Sequence, residues 1–174
     1  MWTKERLLGN PSLGLVLAAL VVLLAPLVVL VFILWLVGAF VFQWECGIWL
    51  RQRFRATWGR NGKRLLLVYS ESPNWHQYIT EHWMPRLSPY AVCVNWSRRN
   101  EWKPHPPLEA KILRHWGGAY EFNPMVVYFP KHGQVEVIRF WKAFKDFKHG
   151  KEQALRKAER RLFEIVNALE EARR

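Results

Sequence analysis

Acidic residues are scarce in this sequence: Asp146 is its one aspartate, and Lys and Arg outnumber Asp and Glu by 26 to 14. A Ser-His-Asp signature is therefore missing, and so is a Gly-rich phosphate loop, so no motif identifies an enzyme. Cysteine is equally sparse. Cys46 and Cys93 are the only two, without a Cys-x-x-Cys, which excludes a disulfide framework and agrees with a reducing, cytoplasmic setting. The six histidines, His76, His82, His105, His115, His132 and His149, form no His-x-x-x-His pair and have no Cys or carboxylate set at ligand spacing. Neither a metal site nor a cofactor is expected. Internal repeats and low-complexity segments are also absent.

The most consequential absence is local. From Leu13 to Phe42 no residue carries a charge, an apolar run of 30. About 20 suffice to cross a bilayer core. A secretory signal would have a shorter apolar core of about 7 to 15 residues and a small-x-small cleavage site, so the segment is expected to stay attached. The hydrophobic content is 51% while the mean hydropathy is near zero, so the apolar residues are concentrated here and the remainder is charged. Only Lys4, Arg6, Glu5 and Glu45 precede residue 51, and the +12 excess belongs to the later part. Such a balance suits anionic lipid headgroups, nucleic acid or an acidic protein surface.

Arg51, Arg53 and Arg55 follow the run, with Arg60, Lys63 and Arg64 behind them, against Lys4 and Arg6 ahead of it. The positive-inside rule then predicts a single-pass protein of the plasma or inner membrane with its C-terminal domain cytoplasmic. Trp44 and Trp49 sit where an interfacial aromatic belt is expected, and Trp2 would mark the opposite face. Thirty helical residues rise about 45 Å, whereas the hydrocarbon core is about 30 Å thick, and the required tilt of about 48° exceeds the usual range. Three resolutions follow: a kink at Pro26, an end that leaves the bilayer against protein, or a re-entrant hairpin turning at Pro26. The expected division is an N-terminal segment 1–12, a transmembrane helix with its interface 13–50, a basic juxtamembrane linker 51–64, and a soluble domain 65–174.

Within that domain Leu65–Tyr69 is continuously apolar, as a central strand covered on both faces would be. Ser72 is placed to cap a helix starting at Pro73, with Trp75, Ile79, Trp83 and Leu87 on one face and Pro85 ending or kinking it. Tyr90–Trp96 reads as a second strand, Leu108–Trp116 as a helix closed by Gly117-Gly118, and Met125–Phe129 with Val135–Trp141 as a hairpin turning at Lys131-His132-Gly133. A long amphipathic helix after His149-Gly150 buries Leu155, Ala158, Leu162, Ile165, Val166 and Leu169.

The order β-α-β-α-β-β-α, with Asn123-Pro124-Met125-Val126-Val127-Tyr128-Phe129 followed by His132-Gly133-Gln134-Val135, resembles the thioredoxin-like superfamily from about Lys63 to Leu169. The resemblance implies an α/β domain with a central mixed sheet, in which Pro124 is the cis-proline facing the first strand-helix turn. Redox members carry Cys-x-x-Cys at that turn; here Ser72-Pro73-Asn74-Trp75 stands instead, and thiol-disulfide exchange is unavailable. Glutathione transferases of the superfamily use Ser or Tyr there to activate a thiol, which makes Ser70 and Ser72, with Pro124, the candidate catalytic residues of a tethered transferase or thiol-binding enzyme. The blander reading gives Ser72 a capping role and Trp75 a packing role.

Seven of the eleven tryptophans follow residue 50, more than a small domain readily buries. Surplus exposed Trp near Arg suits a partner surface, for which Asn74, Trp75, Trp141, Arg156 and Arg160 are the candidates. The segment Arg139–Lys148 interleaves Lys with aromatics, as a base-stacking or membrane-resting surface would. A tethered domain cannot scan nucleic acid freely, so the bilayer and other integral-membrane subunits are the preferred partners. The leading expectation is a non-catalytic accessory or assembly subunit of a membrane complex.

Overall fold

The structure, a computed structural model, describes residues 11–102, 104–118 and 123–174. Trp2 and the segment 1–10 lie outside them. The chain forms two compact units that divide between Glu45 and Cys46.

Helix α1, Pro11–Trp58, is 48 residues long and continuous through Pro26. That continuity overturns the hairpin alternative, since a re-entrant segment would interrupt the helix at its turn. It is the one helix among the described residues long and apolar enough to cross a membrane. Its most apolar window has a mean hydropathy of 3.2 and is entirely unburied. From Leu20 to Phe42 the large apolar side chains point outward all round the helix, Leu23 at 74% and Phe40 at 73% exposure. An all-round apolar surface is stable in lipid and not in water.

The second unit, from Cys46, is a mixed four-stranded sheet with helices on both faces. Strand β1 (Leu65–Tyr69) is central, β2 (Ala91–Asn95) pairs parallel to it, β3 (Met125–Tyr128) pairs antiparallel on its other side, and β4 (Glu136–Arg139) completes the order β2-β1-β3-β4. The parallel pair is joined through α2, a composite of helix His76–Tyr78, π-helix Ile79–Trp83 and helix Met84–Leu87. Helix α3 (Leu108–Gly117) follows β2, after a 3-10 stretch Trp96–Trp102. Helices α4 (Trp141–Lys148) and α5 (Gln153–Glu171) follow β4.

Two layers cover the sheet, and the pleat assigns residues to them alternately. Leu65, Leu67, Val126 and Ile138 belong to the core formed with α2, α4 and α5. Leu66, Val68, Met125 and Val127 belong to the core formed with α3 and the end of α1. Leu50 and Phe54 of α1 are 4% and 0% exposed, and Phe54 stacks on Phe129 with ring centroids 4.1 Å apart. The expected linker 51–64 is therefore corrected: helix extends through Trp58, and the domain begins at Cys46 rather than residue 65. The last three turns of the helix belong to the domain, and the 30-residue apolar run Leu13–Phe42 lies wholly ahead of them in the sequence. Gly62, at φ 76, then reverses the chain after the 3-10 turn Gly59–Asn61 and leads it into β1.

Four further expectations change. The helix after β1 starts at His76, not Pro73, and Ser72 does not cap it: its carbonyl accepts the Trp75 and His76 N–H groups, and its hydroxyl accepts that of Asn74. Pro85 neither ends nor breaks α2; the π-helix immediately before it widens the backbone ladder that proline cannot complete. The last strand stops at Arg139, and Trp141–Lys148 is helical because Phe140, Ala143 and Phe144 are buried while Lys142, Lys145 and Lys148 face water. None of the seven later tryptophans is exposed: Trp75, Trp83 and Trp96 are buried, and Trp58, Trp102, Trp116 and Trp141 are half-buried. The added turns of α1 belong to the core that takes Trp58, Trp96, Trp102 and Trp116, and Trp75, Trp83 and Trp141 pack in the core on the other face.

One surface pair joins the sheet edge to α5. Arg161 donates two 2.8 Å hydrogen bonds to the Glu136 carboxylate, and that guanidinium holds Glu136 below the ordinary glutamate range. A lowered carboxyl pKa contributes stability above the unfolded-state value and loses it as pH falls through the folded one. Both side chains are largely solvated, so less than about 1 kcal/mol is expected. Glu136→Gln should therefore melt close to wild type in acid and slightly below it at neutral pH; equal melting at both would show that the pair is energetically silent.

Candidate functional site at the strand ends

Open α/β sheets bind ligands beyond the carboxyl ends of their parallel strands, where backbone groups and helix starts are left to face solvent. Here those ends are Tyr69 and Asn95. The turn Ser70–Trp75 leaves the first and the 3-10 stretch Trp96–Trp102 leaves the second. A closed ring of hydrogen bonds ties the two loops: the Asn95 amide donates to Glu71 Oε1 at 2.7 Å, the Glu71 N–H donates to Ser97 Oγ at 2.9 Å, and the Ser97 N–H donates to Asn95 Oδ1 at 3.0 Å. Three short polar side chains thus set the width of the site.

Each sequence-predicted residue can be placed. Ser70 accepts a 3.2 Å hydrogen bond from the indole N–H of Trp75, and Ser72 accepts from the Asn74 N–H at 3.4 Å. Among the described residues neither hydroxyl has a histidine, lysine or carboxylate as its hydrogen-bond partner, so neither is activated as a base-assisted nucleophile would be. Trp75 is 8% exposed and packs towards Phe144, which removes it from the expected partner surface; Asn74 remains outward. Pro124 is buried, its peptide bond with Asn123 is cis, and its carbonyl accepts the Phe140 N–H.

Beside the ring lies an open cavity of about 670 Å³ lined by Tyr69, Cys93, Asn95, Arg98, His105 and Glu109. Cys93 presents surface to solvent on the sheet edge, but the atoms around its sulfur desolvate a thiolate, and burial pushes the thiol pKa up. Burial, with Cys93 and Glu71 nearby, likewise raises Tyr69. Both groups stay protonated at neutral pH, fit to hydrogen-bond a ligand and unfit to attack one. Among the described residues no group of three or more His, Cys, Asp or Glu is arranged to hold a metal ion.

The remaining expected surfaces divide. Trp44 and Trp49 are exposed at 65% and 46%, and the Arg53 guanidinium lies 5.5 Å from the Trp49 ring centre, an arrangement suited to an interfacial belt. Arg51 and Arg55 are engaged within the domain. Both donate to the Pro130 carbonyl, Arg55 also to that of Lys131 at 2.8 Å, so they anchor the end of α1 to the β3–β4 turn. Trp141 is half-buried with Lys145 Nζ 4.6 Å from its ring, and Arg156 pairs with Glu152. Arg160 is exposed on α5. Phe140 and Phe144 of the interleaved segment lie in the core and cannot stack on bases.

Sequence reasoning missed the end of α1, although Gly47, Leu50, Phe54 and Trp58 recur at helical spacing. A Cβ at Gly47 would lie 2.9 Å from His115 Nε2, so the glycine makes room for the His115 imidazole of α3. No protein-family model, curated protein or solved structure matches this chain.

Proposed function

We propose that this chain is a non-catalytic, membrane-anchored accessory or assembly subunit of a larger integral-membrane complex, carrying a redox-inactive thioredoxin-like domain on the cytoplasmic side. The observation that carries the reading is the all-round apolar surface of α1 from Leu20 to Phe42, joined to a domain whose candidate catalytic hydroxyls are already engaged. The sheet order, the parallel β1–β2 pair, the antiparallel β3–β4 hairpin and the cis Asn123–Pro124 bond ahead of β3 support the thioredoxin-like assignment. The basic flank supports a cytoplasmic domain.

A tethered transferase at Ser70, Ser72 and Pro124 is less well supported, because the hydroxyls accept bonds from Trp75 and Asn74 and the neighbouring thiol is held protonated. The test separates anchoring from association. Residues 13–42 are replaced by a polyleucine helix, and both chains are affinity-purified from native membranes in mild detergent. Wild type is expected to bring down a defined stoichiometric membrane partner, and the polyleucine chain to insert in the membrane without it. Wild type purifying as a lone monomer, or a polyleucine chain that keeps the partner, overturns the proposal for the helix.

A further inference from the structure

The turn between α1 and β1, the β3–β4 turn and the C-terminal end of α5 converge on one open cavity of about 440 Å³. Four cations line it, Arg60, Arg64, Lys131 and Arg173, above a floor that includes Tyr90 and Leu169, and no carboxylate side chain is among the lining residues. Two arginines of α5 pair with acids: Arg161 with Glu136 and Glu164, Arg156 with Glu152 and Glu159. Here none of the four side chains makes an ion pair or hydrogen bond among the described residues. Two more guanidiniums stand behind them, Arg51 and Arg55, whose bonds go to backbone carbonyls and leave their charge uncompensated. Burial together with the like charges of Arg51 and Arg64 pulls the Arg55 pKa down, as a positive field without counter-charge does.

Converging like charges cost energy that an anion recovers, and a concave site with focused positive potential concentrates multivalent anions above monovalent ones. Arginine forks match the oxygens of a phosphate bidentately, and a lysine adds a point charge. We propose that the cavity between Arg60, Arg64, Lys131 and Arg173 is a binding site for a phosphate-bearing anion of charge two or more. The cations come from three segments distant in sequence, so the site exists only in the folded domain. It stands independently of the partner of α1.

The test uses the full chain in phosphatidylcholine nanodiscs, titrated with inorganic pyrophosphate by calorimetry. Saturable single-site binding that weakens steeply with added salt is expected. Lys131→Ala and Arg173→Ala should each weaken it about tenfold, the loss of one charge-assisted contact. Both side chains are exposed and unpaired, and an unchanged circular dichroism melt verifies that the variants fold. Repeating the titration in phosphatidic acid discs, with phosphatidylglycerol discs controlling for surface charge, identifies the source. Pyrophosphate binding lost only with phosphatidic acid assigns the site to a lipid headgroup, and binding retained in all three discs assigns it to a soluble phosphate ester. Absence of saturable binding in phosphatidylcholine discs, or equal binding by wild type and both variants, overturns the proposal.

Discussion

A chain truncated to begin at Cys46 should fold, and one truncated to begin at Leu65 should not. Removal of residues 1–64 strips Leu50 and Phe54 from a core face that also contains Leu66, Val68, Met125, Val127 and Phe129. Only α3 would then cover that face, and the sheet would present apolar surface to water at about 25 cal/mol for each Å² uncovered. The same point is made within the intact protein by Phe54→Ala, which deletes a fully buried ring in contact with Phe129 and leaves a cavity. Losses of about 3–5 kcal/mol accompany such deletions, a large part of a typical domain's stability of about 5–15 kcal/mol. The melting temperature should fall by roughly 10 °C or more. A residue 65–174 fragment that unfolds cooperatively, with Phe54→Ala melting like wild type, would return the end of α1 to the status of a linker.

The second large effect is expected at Glu159, the one buried charged side chain among the described residues, 7% exposed on α5. Its Oε1 accepts the Tyr78 hydroxyl at 2.7 Å and the Trp83 indole N–H at 2.9 Å, and Arg156 lies 3.8 Å from Oε2. One carboxylate thus ties α5 to α2 through the aromatic cluster of Tyr78, Trp83, Phe140 and Phe144. Glu159→Ala strands two donors in an apolar setting, at a cost of about 2–4 kcal/mol, while Glu159→Gln keeps an acceptor and should lose about half as much. Burial, then the bond to Glu159, pushes the Tyr78 pKa up to about 12. The folded state therefore holds that proton more tightly than the unfolded chain, whose tyrosine titrates near pH 10. The contribution is intact below about pH 10 and is lost as pH rises through the folded value. Ultraviolet titration should find, besides the raised Tyr69, a tyrosine titrating near pH 12 in wild type that shifts down in Glu159→Ala. Identical titrations and melting curves for the two proteins would remove the network from the account of stability.

Much of the fold is legible without coordinates, for a local reason. The run Leu65–Tyr69 is apolar at every position because both faces of β1 are covered, and that composition exists before folding. Helices α3 and α5 advertise themselves by 3.6-residue periodicity, and Met125–Tyr128 with Glu136–Arg139 by apolar runs on either side of the turn at Gly133. Phe140–Phe147 misleads because its aromatics suit a strand as well as a helix; the burial of Phe140 and Phe144 four residues apart decides between them. The turn Ser70–Trp75 is legible as the segment that leaves β1, but its hydrogen bonds are not, since those from Asn74 and Trp75 depend on a turn that propensity places one helical turn too early.

By itself the sequence determined the apolar helix, the strand positions and the basic character of the domain, because each is a property of contiguous residues. Only the tertiary structure decided that α1 ends inside the core, that the tryptophans are covered, that Glu159 is shared by Tyr78 and Trp83, and that Arg60, Arg64, Lys131 and Arg173 meet. Each of these joins residues far apart along the chain, and such proximity is created by packing and has no trace in local composition.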